Sequence, residues 1–262
     1  MRYLRLSTSD DLLATVADHE RGFRAVEQAL ATEAGEPVET MVREIWPDPH
    51  LPDVVETWLS RFEPDVVSLK VSSFWFTYES VPLRLRQLGM LGPVGGRIAD
   101  VGLRSAATPW IGNSRPFDVV RNLARRVVGS AIYFTPDQVI GVMDGCLRRI
   151  VRHEGAVVAV RGPLIAETRG CDRKLVGRGE QRRRQVDRAM AALCTDLHLH
   201  YTGRQAAPPF DQVKRWRGPD RMHMTAEGHR RAGMEEAEAM LRAWRHARGA
   251  AVPLYLESEA VT

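Results

Sequence analysis

Asp220 and His223, three residues apart in Asp220-Arg221-Met222-His223-Met224-Thr225, are the residue types from which a general base is built. A carboxylate that accepts the imidazole Nδ1–H fixes the tautomer and leaves Nε2 free to take a proton from a nucleophile. Glu227, Gly228 and His229 then fall in the first turn of an amphipathic run that predicts a helix to about Arg248. Each member of the pair also has an ordinary explanation, since aspartate before a helix is a common cap and a histidine can simply face water. The Arg217-Gly218-Pro219 stretch reads as a loop just upstream. His153, His198 and His200 have no acid at matching spacing and read as packing or surface residues.

The elements that must position such a pair alternate along the chain. Tyr3 to Leu6, Val38 to Ile45, Val66 to Val71 and Ala156 to Val160 read as strands, with a last short strand at Leu199 to Tyr201. Helical periodicity separates them over Asp18 to Ala34, Leu51 to Phe62, Pro136 to His153 and about Gly179 to Leu197. Short apolar strands alternating with amphipathic helices predict a parallel sheet with helices on both faces. Val81 to Leu88 and Pro116 to Val128 read as weaker helices around a Gly-rich connection. Residues 1–262 are expected to form one domain, with a lid or substrate-wall insertion at about 75–135.

Composition narrows the partners. The chain of 262 residues is 44% apolar and 27% charged, with net charge +4. Of its 37 basic residues only Lys70, Lys174 and Lys214 are lysine, and the arginines are spread throughout, which resembles compositional bias more than a nucleic-acid patch. The dense run Arg173-Lys174 with Arg178 and Arg182 to Arg184 is expected to open a solvated helix, with a phosphate or acidic-partner site as the alternative. No apolar run approaches the roughly 18 residues of a bilayer span, and Cys146, Cys171 and Cys194 lack metal-like spacing. A cytoplasmic protein with reduced thiols is the expectation, without metal or organic cofactor and with no membrane or nucleic-acid partner.

The wording D-x-x-H-x-x-x-x-G-H-R over residues 220–230 resembles the last block of the SGNH (GDSL-type) esterases and lipases, which supplies their catalytic Asp and His. The resemblance implies a three-layer α/β/α, flavodoxin-like fold. It also aligns Ser9, in Leu6-Ser7-Thr8-Ser9-Asp10, with the nucleophile that follows the first strand; Ser7 is the fallback. A serine at the C-terminal end of a parallel strand opens into the sheet's crevice, although Ser-Thr-Ser-Asp is also a good helix-cap cluster. Two other blocks depart from the family. The second-strand exit, Ile45-Trp46-Pro47-Asp48, has no glycine, and at the third, Val71-Ser72-Ser73-Phe74-Trp75, Ser72 and Phe74 replace the glycine and asparagine of the oxyanion hole. Losing one such donor typically costs about a hundredfold to a thousandfold in rate.

Ser72 and Ser73 are the candidate replacements, with Asn113 a more distant one that also reads as a turn residue. Trp46, Phe74, Trp75 and Tyr78 are the candidate apolar wall for a substrate, or else a cover for the sheet. The expected activity is hydrolysis of a small ester, or acyl transfer, by a Ser9–His223–Asp220 triad. The alternative is a non-catalytic binding protein that keeps the fold and has lost the oxyanion hole.

Overall fold

The computed structural model describes residues 1–12, 16–88, 115–153, 155–163, 173–203, 215–217, 223–250 and 255–257. Among the described residues, six parallel strands form one sheet in the order β2-β1-β3-β4-β5-β6. They are β1 (Arg2–Ser7), β2 (Glu39–Glu44), β3 (Val66–Lys70), β4 (Val157–Arg161), β5 (His200–Gly203) and β6 (Tyr255–Glu257). After β1 the chain moves outward to β2, then returns across β1 to β3 and proceeds the other way. The crevice at the C-terminal ends of β1 and β3 is therefore the switch point of the sheet.

Alternation along the central strands assigns a core to each face. Leu4, Leu6, Val67, Leu69, Val158 and Val160 point into the larger core, covered by α2 (Leu51–Phe62), α6 (Pro136–Arg152) and α7 (Arg173–Asp196). Tyr3, Val66 and Ala159 point the other way, against α1 (Gly22–Ala34) and α8 (Ala226–Ala247). Near-continuous apolar strands are what burial on both faces demands. Local signals set the helix ends. Gly35 stops α1 at φ 71°, and Thr135 caps α6 by accepting from Gln138 N–H at 3.2 Å while donating its own N–H to Gln138 Oε1 at 2.8 Å.

The charged cluster on α7 is only in part the solvated run expected: Arg178 and Arg184 are exposed, but Arg182 and Arg183 between them turn inward. Arg183 is fully buried, clamped by Glu180 and donating to the Pro163 carbonyl at 3.1 Å, and Arg182 reaches Glu79 at 2.8 Å. Those bonds compensate the burial of a guanidinium. The sheet also gains a strand beyond the one expected as its last. β6 pairs with β5 through Tyr201↔Tyr255 and Thr202↔Leu256. In the 75–135 segment, short α3 (Phe74–Thr77) leads to α4 (Val81–Leu88), and a two-way backbone bridge between Ser80 and Ala131 joins the near and far sides of that segment. Helix α5 (Arg115–Val128) lies between them in sequence.

Helices α1 and α8 approach closely where Gly22 faces Gly233. A Cβ at Gly233 would lie 2.5 Å from the Gly22 carbonyl oxygen, whereas one at Gly141, within α6, would meet open space. Gly233→Ala is expected to force these helices apart and cost about 1–3 kcal/mol. Gly141→Ala is expected to be neutral or stabilising by up to about 1 kcal/mol. Urea unfolding of the two variants beside the wild type checks this, and equal midpoints would contradict it.

Candidate active site

The serine turn is built at the end of β1. Ser7, its last residue, is fully buried, and its hydroxyl donates to the Asp11 carboxylate. The chain then enters a single 3-10 turn over Ser9–Asp11, closed by Asp11 N–H to the Thr8 carbonyl at 3.1 Å. Thr8 makes no side-chain cap there, so this cluster is not acting as a helix cap. Ser9 instead lines a cleft of about 160 Å³. Of the two candidate serines, Ser7 is committed to Asp11 and Ser9 faces the crevice.

His223 lines the same cleft, brought there by a second turn. The backbone of Arg217 bridges Met224, Thr225 N–H donates to the Trp216 carbonyl at 2.9 Å, and the Thr225 hydroxyl donates to the Arg215 carbonyl at 2.7 Å. Thr225 also caps α8, accepting from Gly228 N–H at 3.1 Å. Gly228 presses on the Trp216 carbonyl with no room for a Cβ, which explains the glycine of the Gly-His-Arg wording. His229 is fully buried between α8 and α1, where its Nδ1 accepts from Gly22 N–H at 3.4 Å. Asp220 and Asn113 lie outside the described residues.

Ser72 and Ser73 also line the cleft, at the exit of β3. The Ser73 carbonyl starts α3, accepting from Thr77 N–H at 2.9 Å and from the Thr77 hydroxyl at 2.8 Å. The expected aromatic wall divides. Trp46 and Phe74 line the cleft and lie 6.3 Å apart between ring centroids, while Tyr133 is 5.4 Å from each. Tyr78 stacks on Phe74 at 4.9 Å behind that surface. Trp75 touches the cleft only from within the core, where it is 1% exposed.

Pattern reading missed the charge beneath the cleft. Arg5, in the middle of β1, places Nε 2.7 Å from Asp11 Oδ2 and Nη1 2.6 Å from Glu236 Oε2. Arg161, the last residue of β4, pairs with Glu236, with Glu235 at 2.7 Å, and with the Ala232 carbonyl at 3.0 Å. Lys70, the last residue of β3, lines both the cleft and a smaller internal cavity beside Arg5, Arg161 and Glu236. Burial opposes ionisation of Asp11 and Glu236. The nearby cations, Arg5 foremost, outweigh it and hold both carboxyls below the usual carboxylate range. A signal was available: charged residues inside otherwise apolar strands must find partners if those strands are central.

Other titratable groups are placed elsewhere. Burial, with His246 and Arg242 nearby, pushes the His200 imidazole down to about 4. Burial pushes the Cys146 and Cys194 thiols up to about 12, which leaves them unreactive near neutral pH. Among the described residues, no group of three or more His, Cys, Asp or Glu is arranged to hold a metal. Among them, too, no helix is long and apolar enough to cross a membrane.

Comparison with known proteins adds the fold. The structure of TesA matches with a TM-score of 0.55 at 12% identity, over 93% of this chain and 99% of that one. The esterase EstA from Pseudoalteromonas sp. matches with a TM-score of 0.52 at 9% identity, over 94% and 98% of the two chains. The fold is that of the SGNH hydrolases. No protein-family model matches the sequence, and no curated protein matches it. Within this SGNH fold, Ser9 and His223 occupy the switch-point crevice, and the third-strand exit carries Ser72, Ser73 and an aromatic Phe74.

Removing one partner from the buried charge group strands the others. Asp11→Asn is expected to cost about 3–5 kcal/mol, as for a broken buried pair. Arg2→Gln, which loses only a surface partner in Glu63, is expected to cost less than about 1 kcal/mol. The pH dependence has a definite sign. Because Asp11 and Glu236 have folded pKa values below their unfolded ones, their contribution is full above about pH 4 and is lost as pH falls through the folded values. Denaturant midpoints between pH 7 and 2.5 should show Asp11→Asn losing less stability on acidification than the wild type; parallel losses would contradict this.

Proposed function

We propose that this protein is a serine hydrolase of esters, working through an acyl-enzyme on Ser9. One observation carries the proposal: Ser9 and His223 line a single cleft at the switch point of an SGNH-fold sheet, while Ser7 is bound to Asp11. In this reading Ser9 Oγ attacks the acyl carbonyl as His223 Nε2 takes its proton. His223 then gives that proton to the leaving alkoxide, and the alcohol departs. Water, deprotonated by His223, attacks the acyl-enzyme and releases the carboxylic acid and free Ser9. Asp220 is assigned the role of holding the imidazole Nδ1–H and stabilising the imidazolium. The Ser9 backbone N–H and the Ser72 or Ser73 hydroxyl are assigned to the developing oxyanion. An alcohol in place of water gives acyl transfer by the same steps.

EstA provides a relevant precedent for the probe, since it is an esterase whose structure was determined inhibited by monoethylphosphonate. A second reading draws on Phe74. A ring packed on Trp46, Tyr78 and Tyr133 stands where the family places a donor to the oxyanion, which favours a binding protein without turnover. Fluorophosphonate labelling with peptide mapping separates the two. The hydrolase predicts an adduct on Ser9 that Ser9→Ala abolishes and His223→Ala slows by about a hundredfold or more. Ser72→Ala and Ser73→Ala together are expected to lower p-nitrophenyl acetate turnover by about a hundredfold. A folded wild-type protein that takes no label on Ser9 would favour the binding protein.

A further inference from the structure

Helix α5 is built inside out. Four of its apolar residues, Val119, Val120, Leu123 and Val127, are 61% to 78% exposed, while Arg125 is buried at 6%. Positions 119, 123 and 127 follow one another at helical spacing, and 120 precedes 127 by two turns, so the four side chains share one face. Arg125 lies on the other side, where its guanidinium donates to the Glu79 carbonyl at 2.8 Å. A surface helix ordinarily turns its apolar stripe to the core. Here the polar side is anchored and the apolar side is presented. Exposed valines scattered singly need no explanation, but a contiguous stripe of them marks a contact surface. The Ser80–Ala131 bridge and the packing of α4 on α5 hold that stripe in place.

The charge around the stripe decides what covers it. From Val81 to Val128 the sequence holds eight arginines against two acids, Asp100 and Asp118. Counted over every residue, this stretch is more positive than the whole chain, whose net charge is +4, and the remainder is net negative. No single arginine has to lack a partner for that excess to be felt, because the field at a surface sums over all its charges. Arg86 on α4 and Arg126 on α5 are exposed. Arg84 Nε lies 3.8 Å from where a Cβ at Gly129 would stand, at the end of α5. Glu79, the acid just before the stretch, is taken by Arg182 at 2.8 Å and by the Ser130 hydroxyl. On the helix that carries Arg182, Arg178 is exposed as well.

We propose that α4 and α5 form a surface for docking on an anionic membrane. The stripe of Val119, Val120, Leu123 and Val127 enters the interface, and the arginines beside it meet lipid phosphates. A second copy of the chain fits the stripe less well, since self-pairing would bring two positively charged stretches together. Nucleic acid would meet the arginines and leave the apolar stripe uncovered. The expectation of no membrane partner rests on the missing bilayer span, and binding in the plane of the interface needs no span. A short connection joins α5 to Tyr133 and Phe134, which pack on Trp46, so the docked helix adjoins the aromatic side of the cleft along the chain.

Co-sedimentation with vesicles tests this apart from any turnover. Vesicles of phosphatidylcholine alone would be compared with vesicles of phosphatidylcholine mixed with phosphatidylglycerol. The wild type is expected to partition about tenfold or more strongly onto the mixed vesicles, and less so as salt is added. Val119→Ser/Leu123→Ser/Val127→Ser, its folding checked by the urea midpoint, is expected to lose about tenfold or more of that binding. Arg126→Gln is expected to weaken it about fivefold. Absent binding to the mixed vesicles, or equal binding to both kinds, would overturn the inference, and the wild type alone gives that answer. Undiminished binding by the folded triple variant would also overturn it, since the arginines alone would then account for the attraction. A dimer that the triple variant dissolves, seen by sedimentation velocity without vesicle binding, would assign the stripe to a second copy instead.

Discussion

A guanidinium in the middle of the first strand is the constraint on which the site depends. Arg5 is 2% exposed and flanked by Leu4 and Leu6, whose side chains belong to the opposite core. A charge there is tolerable only if carboxylates come to it. The partners are Asp11, in the serine turn, and Glu236, three turns into α8. One buried cation thus ties the turn that carries Ser9 to the helix that begins beside His223. The Asp11 carboxylate also accepts from the Ser7 hydroxyl, which fixes the end of β1 against the same group. Placement of the two candidate catalytic side chains follows from solving one electrostatic problem.

The faces of the sheet divide this labour. The core under α2, α6 and α7 is apolar and rich in large side chains, and it supplies the hydrophobic burial. The face under α8 mixes large and small residues, with Met240 and Trp244 beside Ala237 and Ala243 on the helix, and Gly22 lies against Gly233 where α8 meets α1. Close approach there lets the Glu235 and Glu236 side chains reach Arg161 at the strand ends. A side chain at Gly233 would push α8 off α1 and shift those carboxylates from their cations. The Gly22–Gly233 contact is therefore part of the electrostatics as well as of the packing.

Much of this was legible in the sequence, for identifiable reasons. Strands β1 to β4 and helices α1, α2 and α6 carry periodicities that only one arrangement satisfies, and Gly35 and Thr135 mark their ends. The SGNH wording at residues 220–230 pointed to the cleft that His223 lines, although Asp220 lies outside the described residues. What pattern reading missed was long-range. β6 is three residues long and pairs with β5 across more than fifty positions of sequence. Arg183 was read within a solvated run, and nothing local marks Arg5 or Arg161 as paired, because their partners at Asp11, Glu235, Glu236 and Glu180 lie on other elements or are hidden in helical runs. Trp75 was read with the wall because it follows the strand, but the turn at Ser73 rotates it inward and leaves Phe74 at the surface of the cleft.

The departures at the strand exits fit a change in what the cleft must stabilise. A glycine at an exit offers a bare N–H, and an asparagine offers a neutral amide; both suit an oxyanion in a site without fixed charge nearby. Here the same crevice stands above a buried group in which Arg5 and Arg161 are paired with Asp11, Glu235 and Glu236. A developing negative charge on a substrate at Ser9 would feel that field directly, and a field from buried, already oriented groups needs no reorganisation as the charge forms. In the hydrolase reading, hydroxyls at Ser72 and Ser73 would then share the oxyanion with that field. In that reading, a floor that met part of the electrostatic demand would release the position after Ser73 from supplying a donor. An aromatic ring can occupy it, and Phe74 extends the apolar surface begun by Trp46.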